Sequence, residues 1–468
     1  MRKLGLIIAA VVFTAGCAVG PDYRRPQLEL PEQWPAHVLL DAEARQGWVQ
    51  WWQRFGDPRL DRLVRRALDD NLSIRLQVQR IEESRARLGL AEANRLPSLG
   101  LQADVARERR STALGTGQGG VGEAWAVSGA LSYELDFWGR LAREREAAEA
   151  LLDASVFSRD AVRLGVIADV VTAYVNLRGA QERLAIARRT LESRERSLAL
   201  ERLRYEAGES DALAFRQTAA ELEATRSRVP LLRQQVLTLE SALAILVGMS
   251  PGELLHDPGF GEGTLADLEL PGGVPQILPS ALLARRPDIR SAEAGLIAAN
   301  AGIGAAQAAR LPSLNLAGLL GSAAAASGDL FTGPARTWGL SASLFGPLFD
   351  FGRSRARVDT AEALAEQAET QYRIAVSAAF REVRDALVIY DTAAERIQAV
   401  ERQLEAIRQA RELAQIRYEE GLIGFIELLD AERALLDARL ALSEARRDRL
   451  NATATLFKAL GGGWSEQG

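Results

Sequence analysis

Two halves of this chain repeat one plan. Arg95-Leu96-Pro97-Ser98-Leu99 returns 215 positions later as Arg310-Leu311-Pro312-Ser313-Leu314. Asp136-Phe137-Trp138-Gly139-Arg140 returns as Asp350-Phe351-Gly352-Arg353, its closing arginine 213 positions on. Tyr174 matches Tyr390, and Arg204-Tyr205-Glu206-Ala207-Gly208 matches Arg417-Tyr418-Glu419-Glu420-Gly421, again 213 apart. Solenoid and propeller units repeat every 20 to 50 residues or so, so this far longer period marks an internal duplication with pseudo-symmetric halves.

Each half reads in the same order: helix, strand, loop, strand, very long helix, turn, shorter helix. No proline occurs between Pro97 and Pro230, nor after Pro347, so nothing there forces a helix to end. Between Arg353 and Glu420, Tyr372, Val376, Phe380, Val383, Leu387, Tyr390, Ala394 and Ile397 recur at steps of three and four. That is a coiled-coil-like seam. The spacing predicts one helix about 100 Å long here and a match from Arg140 to Ala207. The helices by themselves also fit a plain coiled-coil dimer or a spectrin-like rod.

The strands narrow the choice. From Trp125 to Phe137, Trp125, Val127, Leu131, Tyr133, Leu135 and Phe137 alternate with Ala126, Ser128, Ala130, Ser132, Glu134 and Asp136. Leu99, Leu101, Ala103 and Val105 alternate with Gln102, Asp104 and Ala106; the second half offers Leu314 and Leu316, then Trp338, Leu340, Ala342 and Leu344. Runs of about 10 residues or slightly more suit tilted membrane-spanning strands. A soluble sandwich would also alternate, but four strands are few for one. In hydrocarbon a sheet must close to pair its backbone, and single-chain barrels use about 8 strands or more. Several chains must therefore share one barrel, with polar strand faces lining a pore. Three chains give twelve strands and two give eight; arithmetic alone does not choose.

Composition removes other classes. Charged residues are 25% of the chain, aromatics 6%, and the formal net charge is -5, which argues against a nucleic-acid binder. One Cys and two His exclude a disulfide framework and a structural Cys/His zinc site. No metal or cofactor is expected. No enzyme is expected either: His37 and His256 sit in Pro-rich segments, and no phosphate-binding glycine loop is present. Gly115 to Gly122 and Gly321 to Gly328 read as loops between paired strands, on an extracellular rim.

Arg2 and Lys3 precede an apolar run from Leu4 to Ala15, too short to cross a bilayer, then Gly16 and Cys17, a secretory-signal pattern. Phe13-Thr14-Ala15-Gly16-Cys17 resembles the lipobox of bacterial lipoproteins, with Thr14 where an aliphatic residue is usual. That likeness makes Cys17 the acylated mature N-terminus. Ala18 stands where Asp would retain such a protein at the inner membrane, favouring the outer membrane.

The whole plan resembles the outer membrane factor family, the TolC/OprM/NodT-like exit ducts. The resemblance rests on Cys17-Ala18-Val19-Gly20-Pro21-Asp22-Tyr23 with Pro26, on Trp51-Trp52 to Phe55-Gly56-Asp57-Pro58, on both RLPSL boxes and on both Arg-Tyr-x-x-Gly turns. It implies a homotrimer: a 12-stranded β-barrel with 4 strands per chain, continued by a long α-helical barrel and girdled by a mixed α/β equatorial belt. The expected division is a signal over 1–16, an N-terminal belt segment over 17–60, a first repeat over 61–248, a linker over 249–279, a second repeat over 280–461 and a tail over 462–468 near Trp464. The implied function is the outer-membrane exit channel of a tripartite efflux system, of resistance-nodulation-division type. It would be a passive duct for small molecules, with a type I secretion or major-facilitator export duct as the alternative. Implied partners are a periplasmic adaptor, an inner-membrane pump and outer-membrane lipid.

The two turns end in Gly208 and Gly421, suited to helix ends. Carboxylates follow them, among them Asp211, Glu427 and Asp430, which could do no more than meet a helix dipole. The resemblance makes Glu427 and Asp430 an acidic pair in a periplasmic constriction, where rings of carboxylates would favour cations. It places Tyr418, Arg417, Tyr205 and Arg204 near the gate, with Ile423 where the TolC-like pattern has Arg. It makes Gly208, Gly421 and Leu422 candidate adaptor contacts.

Overall fold

The computed structural model describes residues 19–31, 34, 40–41, 49–110, 120–256, 259–271, 274–275 and 279–463. The signal segment, Cys17, His37, Gly115 and Trp464 lie outside the described residues. In chain order the elements are β1 (Leu40–Asp41), α1 (Pro58–Asp70), α2 (Leu72–Ala93), β2 (Ser98–Arg110), β3 (Gly120–Leu135), α3 (Arg140–Glu206), α4 (Ala212–Leu246) and α5 (Pro251–His256). There follow β4 (Val274–Pro275), α6 (Pro279–Arg285), α7 (Pro287–Ala308), β5 (Ser313–Ala324), β6 (Arg336–Phe345), α8 (Arg353–Glu419) and α9 (Phe425–Ala459). The duplication is met residue for residue: α3 and α8 both have 67 residues, and α4 and α9 both have 35. The helix opening each half is broken in two. Asn71 ends α1 and accepts from Ser73 N at 2.9 Å to start α2, and Pro287 starts α7.

The chain divides into two compact units, one of residues 1–27, 80–156 and 291–373, the other of residues 28–79, 157–290 and 374–468. The first holds an antiparallel sheet in the order β2-β3-β5-β6. Its register carries the alternation across all four strands. Leu99 faces Leu131, and Leu131 faces Gly318, which faces Leu340; Leu320 faces Trp338 and Leu314 faces Leu344. Because neighbours in register share a face, one side is almost wholly apolar. The other carries Ser98 against Ser132, Gln102 against Ser128 and Asn315 against Ser343. Leu99, Leu101 and Leu340 are 80%, 82% and 80% exposed, so the apolar face is bare. Leucines of an ordinary core would be covered.

Gly321 to Ala324 do not form the loop expected of them. They extend β5, opposite Trp125 to Ser128, and β3 already begins at Gly120. Small side chains made these segments look like loops, but ladder hydrogen bonds from a strong neighbour extend the strand through them. Gly321 is required there: a Cβ on it would lie 2.3 Å from the Val127 carbonyl oxygen. Below the strands, Asp350 accepts from Ser354 N at 2.8 Å and caps α8.

The second unit is built on the remaining helical lengths and on the segments around Trp51 and Phe260. Trp51 stacks on Phe457 at 5.3 Å between ring centroids, and both are fully buried. Asp57 accepts from Arg59 N at 2.7 Å to cap α1, and its other oxygen accepts from the Tyr174 hydroxyl. Burial first, then the Asp57 hydrogen bond, pushes the Tyr174 phenol up to about 12 against the opposing pull of Arg178. Arg178, only 1% exposed, donates to Tyr174 Oη at 2.9 Å and to the carbonyls of Phe260 and Gly261 at 3.0 and 2.7 Å. The duplicated tyrosines each carry an arginine over the ring, from different helices: Arg178 lies 4.6 Å over Tyr174 and Arg449 3.7 Å over Tyr390. No described helix is long and apolar enough to cross a membrane.

Candidate functional site at the paired helical turns

Both long helices end in the same turn. Gly208 has φ +80° and Gly421 φ +72°. Glu209 N donates to Arg204 O at 2.8 Å and Gly208 N to Tyr205 O at 3.1 Å. Leu422 N donates to Arg417 O at 2.8 Å and Gly421 N to Tyr418 O at 3.0 Å. These are paired Schellman caps, in which glycine alone takes the left-handed position without strain. Asp211 then caps α4 by accepting from Ala214 N at 2.7 Å, whereas Gly424 starts α9. The Glu427 carboxylate folds back over Gly424, within 2.9 Å of where a Cβ there would sit.

Aromatic side chains close each turn. Tyr205 stacks on Phe215 at 5.5 Å, and Tyr418 meets Phe425 edge-on at 5.7 Å. The two turns are joined where Arg204 Nη1 donates to the Tyr418 hydroxyl at 3.3 Å, with its guanidinium 5.8 Å over the ring. Burial and the nearby Glu201 carboxylate raise the Tyr418 pKa and Arg204 opposes them, so the phenol stays neutral and accepts from Arg204. Glu201 itself accepts from Ser210 across the first turn. Of the residues singled out from sequence, Arg204 and Tyr418 come together, while Tyr205 packs on Phe215 of its own turn. Among the described residues Arg417 forms no ion pair.

Asp430, exposed at its side chain, has its charge offset by Arg433 Nη1 at 3.0 Å. Arg433 also reaches across to α4, where its Nε donates to Glu221 Oε1 at 2.6 Å. Arg194 on α3, 8% exposed at its side chain, approaches the other Glu221 oxygen at 2.7 Å and also donates to Thr225. Burial alone would raise the Glu221 pKa, but Arg433 and Arg194 together hold it below the usual carboxylate range. Sequence reasoning missed Glu221 and Arg194. It missed Arg433 as well, for which the i, i+3 spacing from Asp430 was the local signal. Leu213 and Leu422, one beside each turn, are 63% and 62% exposed.

A sheet with a bare apolar face and, among the described residues, two unpaired edges, and paired helical hairpins joined through their turns, define a channel-forming membrane protein of the outer-membrane type. The chain belongs to the outer membrane efflux protein family, whose profile matches residues 63–249 and 278–462. It is 35% identical over 473 residues to the outer membrane protein OprJ of Pseudomonas aeruginosa, across 100% of this chain and 98% of that one. It is 31% identical to a probable outer membrane lipoprotein, SilC, of Salmonella typhimurium, covering 100% of both chains. The open-state crystal structure of the MtrE outer membrane channel of Neisseria gonorrhoeae aligns with TM-score 0.86 at 32% identity, over 96% of this chain and 98% of that one. The protein is thus an outer-membrane efflux channel, and its family members are channel proteins. The expected family, fold class and efflux function agree with these likenesses.

Proposed function

We propose that three copies of the chain close one twelve-stranded barrel, and that the helical turns form its periplasmic gate. The carrying observation is the register of the sheet: the apolar face runs across β2, β3, β5 and β6, while β2 and β6 each keep one edge unpaired among the described residues. Free edges in hydrocarbon must find partners, and β6 of one copy against β2 of the next supplies them. The polar faces then line the duct.

Cys17 would carry acyl chains, and the likeness to a named lipoprotein supports this. Arg204, Tyr205, Tyr418 and Arg417 surround the closed aperture, with Asp211 at a cap and Asp430 and Glu427 as its carboxylates. The Asp430–Arg433 pair weakens the cation preference that a bare acidic ring would give. Gly208, Gly421 and Leu422, with the exposed Leu213, form the surface for a periplasmic adaptor, which links the duct to an inner-membrane pump of resistance-nodulation-division type. Kinship with efflux proteins supports this over a secretion duct. A passive conduit takes cargo selected upstream.

The test is direct. Protein extracted from outer membranes should run as a heat-resistant trimer and give discrete ion conductance in a planar bilayer. Cys17→Ala behind a plain signal peptide should keep that conductance. A detergent-indifferent monomer without conductance would refute the reading.

A further inference from the structure

We propose that the segment Val19–Arg25 is a charge-keyed strap whose docking across α3 and α7 couples placement of the protein's N-terminus to assembly of the channel; the inference rests on the trimeric outer-membrane reading above. The strap lies within the unit that holds the sheet. Its first described amide, Val19 N, donates to Trp138 O at 3.1 Å, in the turn that leaves β3. From there it crosses both repeats. Arg143 on α3 reaches Asp22 at 2.9 Å, and Asn300 on α7 donates to Pro21 O at 2.9 Å. Gly304 on α7 allows the backbones to touch: a Cβ there would lie 2.8 Å from Val19 O.

The strap ends in a socket made for a cation. Glu293 on α7 is 6% exposed. Arg25 grips it with Nε at 2.6 Å and Nη2 at 2.7 Å, and the Tyr23 hydroxyl donates to it at 3.0 Å. The fully buried Tyr372 hydroxyl lies unpartnered in the same cluster and brings no charge. Among the described residues Arg25 is the only cation paired with Glu293. With the strap in place but Arg25 removed, Glu293 would be a buried carboxylate without its counter-charge, a strongly unfavourable state.

The other socket is less demanding, because buried Arg143 keeps Glu146 at 2.8 Å when Asp22 leaves. A socket for a cation on α7 and a socket for an anion on α3 match Arg25 and Asp22 in one chain direction only, so the strap docks in a single register. The first described residue of the strap, Val19, is held in the turn that leaves β3. Assembly of the helices under the barrel and positioning of the anchor become one event.

The test uses full-length protein in outer-membrane fractions, with Arg25→Ala, Glu293→Gln and the double variant. Two readouts are taken: the temperature at which heat-resistant oligomers come apart, and trypsin cleavage after Arg24. Arg25→Ala should speed cleavage about tenfold and lower the dissociation temperature by roughly 5 °C. The double variant should recover the temperature, because the socket is then neutral, yet remain rapidly cleaved. If Arg25→Ala does not accumulate at all, accumulation of the double variant supports the strap and its failure overturns it. An Arg25→Ala protein indistinguishable from wild type, or a double variant no more stable than Arg25→Ala, overturns the proposal. Wild-type protein that forms no oligomer refutes instead the channel reading beneath it.

Discussion

Replacing Arg433 with alanine removes the guanidinium that ties α9 to α4 two turns from the chain reversal. Its side chain is 45% exposed, which by itself limits the link to under about 1 kcal/mol. Its partner is better placed: Glu221 is 14% exposed and shares its charge with the 8% exposed Arg194. About 1 kcal/mol per protomer is therefore a fair figure, the upper end for an exposed pair. If three protomers open together, about 3 kcal/mol is lost from the closed state, near 150-fold in the closed-to-open ratio. Single-channel recording in planar bilayers reads that ratio as dwell times. Freed of Arg433, Asp430 and Glu221 should also shift reversal potentials toward cations. Arg433→Lys keeps the charge but not the two-pronged contact, so its closed dwell times should fall between. The link also has a pH signature. A carboxylate held below its ordinary value contributes stability above about 4.3 and loses it as pH falls through the lowered value. Wild-type closure should therefore hold at neutral pH and loosen only as pH falls below the ordinary glutamate range. Arg433→Ala with wild-type dwell times and wild-type selectivity would refute the latch.

Tyr418→Phe should cost under about 1 kcal/mol and produce brief openings, because only the hydroxyl that accepts from Arg204 is lost; long openings like those of Arg433→Ala would argue against so small a role. Gly321→Val should abolish the heat-resistant oligomer on gels, since a side chain there collides with Val127 and Ser128 of β3; normal oligomer would show the register to be wrong. Arg178→Met should lower thermal stability by about 2–4 kcal/mol, because it strands the Phe260 and Gly261 carbonyls in a buried site, while leaving unit conductance unchanged. Melting followed by circular dichroism, beside bilayer recording, checks both halves of that statement.

The duplication, the equal helices and the alternating strands were legible before any coordinates, because each is written in local periodicity. Apolar residues three and four apart make a helix seam, every second residue makes a strand face, and Gly208 and Gly421 mark reversals that only glycine enters freely. The lipobox likeness, too, needs only adjacent residues. Long-range charge pairing was not legible. Arg433 and Glu221 are 212 positions apart, and Arg25 and Glu293 are 268 apart. With 57 cations and 62 anions in the chain, no local rule selects those couples. The extension of β5 through Gly321 to Ala324 was hidden for a related reason: small residues carry little propensity of their own and take the conformation that Trp125 to Ser128 offer them across the ladder. Local chemistry therefore determined which segments exist, how long the helices run and which face of each strand is apolar. Only the tertiary structure decided which charges are buried together, since burial and pairing arise when distant segments exclude water from one another.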